Sequence, residues 1–249
     1  MRKIILFSLF YGGYLGLWAQ HPAHLETEKN ALKQKKVYRT LEEALANPEA
    51  VEVLNLSHQK LDAVPEGLSS FKNLLWLDLS HNQLKLLPEQ MARLKKLKIL
   101  NISHNQLTFI SKEVLSLGSL QDLDASHNQI SDLHYNLDKL TNLSLLRLNK
   151  NELEELPEEI GQLNGLKLLD LRSNLLRYLP DSFTKLANLE YLYLSGNKFT
   201  EISAELAPQF YPHLKELFLV NMGIIPEDVE KIKAAYKNRP IKVHFVQPR

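Results

Sequence analysis

The sequence predicts an α/β solenoid: a horseshoe with a concave parallel β-sheet and a convex side of helical or 3-10 turns. Three observations predict it. Leu74–Leu84 reads Leu-Leu-Trp-Leu-Asp-Leu-Ser-His-Asn-Gln-Leu, of the form L-x-x-L-x-L-x-x-N-x-L. Near-copies start at Val51, Leu74, Leu97, Leu120, Leu143, Leu166 and Leu189, each 23 residues apart, and an eighth starts at Leu214, 25 residues after the seventh. The second half of each copy tends to L-x-x-L-P-x-x-L-x-x-L, with proline at Pro65, Pro88, Pro157 and Pro180. A unit this short cannot bury its apolar face alone. Stacked copies bury one continuous core.

Alternation within each copy places positions 4 and 6 on the inner face of a short strand. They are Leu54/Leu56, Leu77/Leu79, Leu100/Ile102, Leu123/Ala125, Leu146/Leu148, Leu169/Leu171, Leu192/Leu194 and Leu217/Leu219. Position 9 is Asn82, Asn105, Asn128, Asn151, Asn174 and Asn197. A buried amide both donates and accepts, so stacked asparagines can satisfy neighbouring turns. The column gives way to Gln59 at its start and Met222 at its end, as end repeats should. The proline is expected at the first position of a helical turn, where its missing N–H has no partner to lose.

In chain order, Arg2 and Lys3 precede the uncharged apolar run Ile4–Leu17, and Trp18-Ala19-Gln20 follows. That is the form of a signal peptide over residues 1–20; the run is too short to span a bilayer. Residues 21–36 are a polar lead-in, flexible or loosely helical. Residues 37–50 form an N-terminal cap, with Thr40 and Glu43 as a capping box. The eight repeats occupy residues 51–225. The seventh carries two extra residues near Pro208 and Pro212, where an irregular loop is expected. Residues 226–249 form a C-terminal cap: an amphipathic helix with Val229, Ile232 and Tyr236 inward, then a strand in which Ile241, Val243 and Phe245 alternate with Lys242 and His244. This cap should pair with the open sheet edge.

Net charge is +1, which gives no electrostatic case for nucleic acid. There is no cysteine, which excludes thiol catalysis, a cysteine lipid anchor and cysteine-based zinc sites.

The repeat pattern from Val51 to about Ile224, with its asparagine column, resembles the leucine-rich repeat proteins. The Leu-Pro second half is similar to their typical 23-residue class in bacterial and Ras-suppressor-like members. The Trp-Ala-Gln ending of the leader resembles signal peptides of Bacteroidota. The resemblance implies a concave sheet that binds protein or peptide; the fold alone names no partner.

Positions 3, 5, 7 and 8 should face the concave side, in columns about 4.8 Å apart. Position 8 begins His58, His81, His104, His127. Neighbouring imidazoles could share an ion, but a ladder gives parallel rather than converging ligands, so no metal site is assigned. Protonation of four adjacent imidazoles would also make the column a pH sensor. Ser80, His81 and Asp78 have the composition of a triad, yet repetition makes such neighbours inevitable, and an open sheet cannot exclude water. No catalytic residue and no cofactor are assigned.

The candidate ligand-binding residues are Tyr191, Tyr193, Phe218, Arg147, Arg172 and Trp76. Tyr191, Tyr193 and Phe218 lie on adjacent strands and should face solvent unless the C-terminal cap or the Pro208–Pro212 loop folds over them; tyrosine and arginine are favoured as binding anchors. Arg147 sits between Asp124 and Asp170 in one column, and this reads either as an anion clamp or as a self-neutralising ladder. Trp76, with Val53 and Ile99 beside it, gives a smaller apolar spot.

The sequence therefore predicts an exported, periplasmic or secreted, non-enzymatic module. It is expected to be a monomer with no membrane span after the leader is removed, binding a protein or peptide on its concave sheet. Carbohydrate or cell-wall binding through the aromatic patch, and a structural or adhesive role, are the alternatives.

Overall fold

The computed structural model describes residues 30–199, 204–223 and 226–245. The expected signal peptide and most of the lead-in lie outside the described residues.

Ten strands form one parallel sheet in sequence order. They are β1 (Val37–Tyr38), β2 (Val53–Asn55), β3 (Trp76–Asp78), β4 (Ile99–Asn101), β5 (Asp122–Asp124), β6 (Leu145–Arg147), β7 (Leu168–Asp170), β8 (Tyr191–Tyr193), β9 (Glu216–Phe218) and β10 (Lys242–His244). In every repeat the strand is positions 3 to 5, and equal positions pair across the sheet, as in Leu77 with Leu100 and Leu146 with Leu169. Positions 4 and 6 are fully or almost fully buried in all eight copies. Burying one such leucine stabilises by roughly 1.5–3 kcal/mol, so register is held at every strand.

The asparagines join consecutive repeats. Asn174 Nδ2 donates to the Leu171 carbonyl of its own repeat and the Leu148 carbonyl of the previous one, both at 3.0 Å. Its Oδ1 accepts from Leu153 N–H at 3.1 Å. The same pattern recurs from Asn82 to Asn197. At the open end Gln59 instead donates from its side chain to the Arg39 carbonyl, 2.6 Å away.

Position 8 of each of the first seven repeats, just before the asparagine or Gln59, is in the left-handed region. φ is 59° at His58, 55° at His81, 54° at His104 and His127, 55° at Lys150, 54° at Ser173 and 73° at Gly196. L-residues rarely adopt this conformation, and only Gly196 in that run is the residue it favours.

The convex side is mostly 3-10: Glu89–Arg93, Tyr135–Lys139, Glu158–Gln162 and Asp181–Lys185. Where Ser111 replaces proline, the short α-helix α2 (Lys112–Leu115) forms; α1 is the helix Leu41–Leu45 of the N-terminal cap. Pro88, Pro157 and Pro180 sit one residue earlier than expected. Each is the N-cap, with ψ between 153° and 160°, because the proline ring fixes φ near −65° and suits an extended residue equally well.

Both ends are closed. Thr40 Oγ1 accepts from Glu43 N–H at 3.2 Å and starts α1, and β1 extends the sheet beside β2. At the other end α3 (Pro226–Tyr236) buries Ile232 and Tyr236, and β10 pairs in parallel with β9. The two extra residues of the seventh repeat accommodate a second 3-10 turn, Pro208–Phe210, after Ala204–Leu206. Among the described residues no helix is long and apolar enough to cross a membrane.

Candidate binding face on the concave sheet

Strand alternation sends positions 3, 5 and 7 to the concave face, and the columns there divide into two halves. The N-terminal half is polar and partly open at position 5, while Val53 and Ile99 at position 3 are buried, so the apolar spot expected around Trp76 is largely covered. At position 5, Asn55, Asp78, Asn101 and Asp124 are all half-buried. Each uses Oδ1 to accept from the backbone N–H and the hydroxyl of the serine two residues on: Ser57, Ser80, Ser103 and Ser126, with hydroxyl distances of 2.6–2.7 Å. Trp76 is half-buried beside Val53 and Ile99. Leu32, in a helical turn over residues 30–33, is buried against the same group. The sequence assigns Leu32 no role, because residues 21–36 hold only two leucines, Leu25 and Leu32, too few to set up an apolar stripe.

Next in line is a buried ionic centre. Arg147 Nη1 donates to Asp122 Oδ1 at 2.7 Å, and both side chains are less than a tenth exposed. Burial opposes the arginine charge, but Asp122, Asp124 and Asp170 together outweigh it and push its pKa up. The sequence pointed to Asp124 and Asp170 as flanking partners. Both pair with Arg147 across the sheet, and a direct bond also runs diagonally, to position 3 of the preceding repeat. Arg172 forms a forked pair with Asp170, its Nε donating to Oδ1 at 2.9 Å. It keeps a quarter of its side chain exposed and lies 4.9 Å above the Tyr193 ring.

The C-terminal half is apolar and closed. Tyr191, Tyr193 and Phe218 were expected to face solvent, yet they are only 7%, 5% and 6% exposed. They form one cluster with Leu145 and Leu168. Position 3 runs Leu145, Leu168, Tyr191 on consecutive strands, so the rings have apolar neighbours beside them on their own face. That run was visible in the sequence and was the signal for this second layer. Tyr193 stacks on Phe218 at 4.8 Å, and Phe218 on His244 at 3.9 Å. Burial pushes the Tyr193 hydroxyl up to about 12, helped by Glu216 and Asp170 and opposed by Arg172.

Along the rim at position 8, His58, His81, His104 and His127 stack face to face, with centroids 4.2, 4.0 and 3.8 Å apart. Among the described residues no group of three or more His, Asp or Glu side chains converges as a metal cage.

This strand–asparagine–turn geometry is matched by known proteins. Family models described as leucine rich repeat match residues 73–94, 84–130 and 138–199. The chain is a leucine-rich repeat protein. A leucine-rich repeat protein of Leptospira interrogans is 30% identical, with a TM-score of 0.67, over 84% of this chain and 58% of that one. An internalin of Listeria monocytogenes is 25% identical, with a TM-score of 0.66, over 78% of this chain and 55% of that one. A plant peptide hormone receptor in complex with RGF2 is 26% identical, with a TM-score of 0.65, over 86% of this chain and 34% of that one. The chain thus spans little more than half the length of the two bacterial relatives. Curated protein sequences give no match.

The leucine-rich repeats thereby bring Arg147, Arg172, Tyr191, Tyr193 and Phe218 together on adjoining strands, β6 to β9 and the turn after β7. They leave Trp76 apart, on β3.

Proposed function

We propose that this chain is an exported, non-enzymatic module, monomeric in solution, that binds a protein or peptide along its concave sheet. One observation carries the reading. The N-terminal half of the face offers a row of half-buried hydrogen-bonding side chains, Asn55, Asp78, Asn101 and Asp124, spaced about 4.8 Å apart and held in place by serine hydroxyls. An extended chain presents polar groups at a few ångströms' interval and suits such a row better than a compact small molecule does. The likeness to a plant peptide hormone receptor in complex with RGF2 supports this reading.

Within it, Trp76 and Arg172 are the residues that reach the ligand, since both keep accessible surface. Arg147, Tyr191, Tyr193 and Phe218 form the floor that fixes the shape of the groove. A carbohydrate platform would need an open ring face, and the three closed rings weigh against one. Export rests on the leader-like residues 1–20.

The test is cross-linking of the mature chain to proteins exported by the same organism, followed by affinity measurement on the partner identified. Cross-links should map to concave positions. Trp76→Ala with Arg172→Ala should weaken binding by about tenfold or more, the effect of roughly 1.4 kcal/mol, in a variant whose circular dichroism shows the solenoid still folded at the assay temperature. Cross-links confined to the convex side, or affinity unchanged by the double substitution, would overturn the concave assignment. Selective glycan-array binding that depends on Trp76 would favour a carbohydrate ligand instead.

A further inference from the structure

The histidine column at the rim is a structure in itself. Four rings in four consecutive repeats lie nearly parallel, with interplanar angles of 10°, 12° and 21°. Their backbones share one left-handed conformation, so every ring leaves the chain in the same direction. His58 and His81 are exposed, while His104 and His127 are half-buried. Neutral imidazoles stack without electrostatic cost. Two imidazolium ions in such a stack face each other at the distance where like charges strongly disfavour one another.

The surrounding charges do not compensate. Asp78 faces His81, Asp124 faces His104, and Lys150, in the next repeat along, faces both His104 and His127. The hydroxyls of Ser80 and Ser126, in the residues just before His81 and His127, are already tied to Asp78 and Asp124. Two carboxylates therefore confront four imidazoles and an ammonium group.

We propose that this ladder is an acid-sensitive latch along one rim of the concave face, stacked while its rings are neutral and forced apart when neighbouring rings take up protons. Opening it turns the rim cationic and frees the ring faces, so pH sets the charge and order of the N-terminal half of the groove. The inference concerns the free protein and does not rest on any ligand.

Burial, and then the charge of neighbouring imidazoles, holds His81 and His104 below the ordinary 6.5 and lowers His127 to about 4. The folded state thus binds fewer protons than the unfolded chain. The ladder's stability contribution is complete above 6.5 and lost as pH falls toward 4.

The experiment follows the histidine ring resonances of the full mature chain by NMR as pH is lowered. The expected result is broad, mutually dependent titrations with midpoints below 6.5 for His81, His104 and His127. In His104→Asn, the midpoints of His81 and His127 should rise by about one unit, the effect of losing a charged neighbour. Asparagine is chosen because Asn221 already holds φ 56° at the same repeat position. The His81→Asn, His104→Asn double variant should also lose less melting temperature than wild type between neutral and mildly acid pH. Independent titrations near 6.5, unmoved by His104→Asn, would overturn the proposal. If that variant folds poorly, the wild-type titration alone decides.

Discussion

The imidazole of His244 lies flat on the ring of Phe218, with centroids 3.9 Å apart and planes 3° apart. The stack continues through Tyr193 to the guanidinium of Arg172. It crosses from the repeats into the closing strand, so the C-terminal cap is continuous with the floor of the groove as well as with the core. Phe218→Ala removes a ring packed on both sides. It should cost about 3–5 kcal/mol, seen as a lower urea midpoint with an unchanged slope. A loss under about 1 kcal/mol would show instead a ring that packing does not hold. The large value also means that binding lost in Phe218→Ala reports folding, which is why Trp76 and Arg172 carry the binding test.

Two convex turns approach closely at Gly161, in the turn Glu158–Gln162. A β-carbon added to Gly161 would overlap the Ser182 carbonyl oxygen and lie 2.7 Å from Ser182 Cβ. Because φ at Gly161 is not left-handed, space rather than backbone freedom fixes the glycine. Gly161→Ala should therefore destabilise by about 1–3 kcal/mol, the usual cost of overpacking. It would force the turns Glu158–Gln162 and Asp181–Lys185 apart. Amide exchange should quicken in those two turns while β2 to β4 stay protected; uniform acceleration along the chain would contradict a local steric cause.

The repeat made the fold legible: a short strand in each copy, inward side chains at positions 4 and 6, and asparagines bridging turns. These follow from local alternation and a fixed period, which a sequence displays directly. Three features were not legible. The left-handed backbone at position 8 was masked because His81, Lys150 and Ser173 occupy it as well as Gly196. The closure of Tyr191, Tyr193 and Phe218 was hidden from alternation, which says only which face they share; its one trace in the sequence is the apolar position-3 run Leu145, Leu168, Tyr191. The bond from Arg147 to Asp122 is diagonal, and a column-by-column reading pairs equal positions only.

That diagonal bond makes a separate prediction. Arg147 is the buried cation facing Asp122, Asp124 and Asp170. Arg147→Met keeps an unbranched apolar stem and removes the charged guanidinium. Breaking a buried pair by removing one partner costs about 3–5 kcal/mol, because the remaining charge stays buried. Arg147→Met with Asp122→Asn should recover much of that loss, since the stranded charge is then gone as well. Equal instability of the single and double variants, by thermal melting at neutral pH, would mean that packing of the arginine stem matters more than its charge.

The alkaline limb of stability follows from three buried tyrosines. Burial pushes Tyr193 and Tyr236 up to about 12, and it pushes Tyr211 up further still. The hydroxyls of Tyr211 and Tyr236 donate to the carbonyls of Glu205 and Leu206 at 2.6 and 2.7 Å, bonds a phenolate cannot make. Each group keeps its proton in the folded state where the unfolded chain would lose it. Its contribution is thus complete below the ordinary value of 10 and lost as pH rises through about 12. A two-unit shift corresponds to roughly 2–3 kcal/mol per tyrosine, so the solenoid should unfold cooperatively in strong alkali. Tyrosinate absorbance and circular dichroism followed together against pH test this. The last tyrosines should ionise in the same step that abolishes the ellipticity. Full ionisation while the ellipticity is intact would show that these hydroxyls are open to solvent.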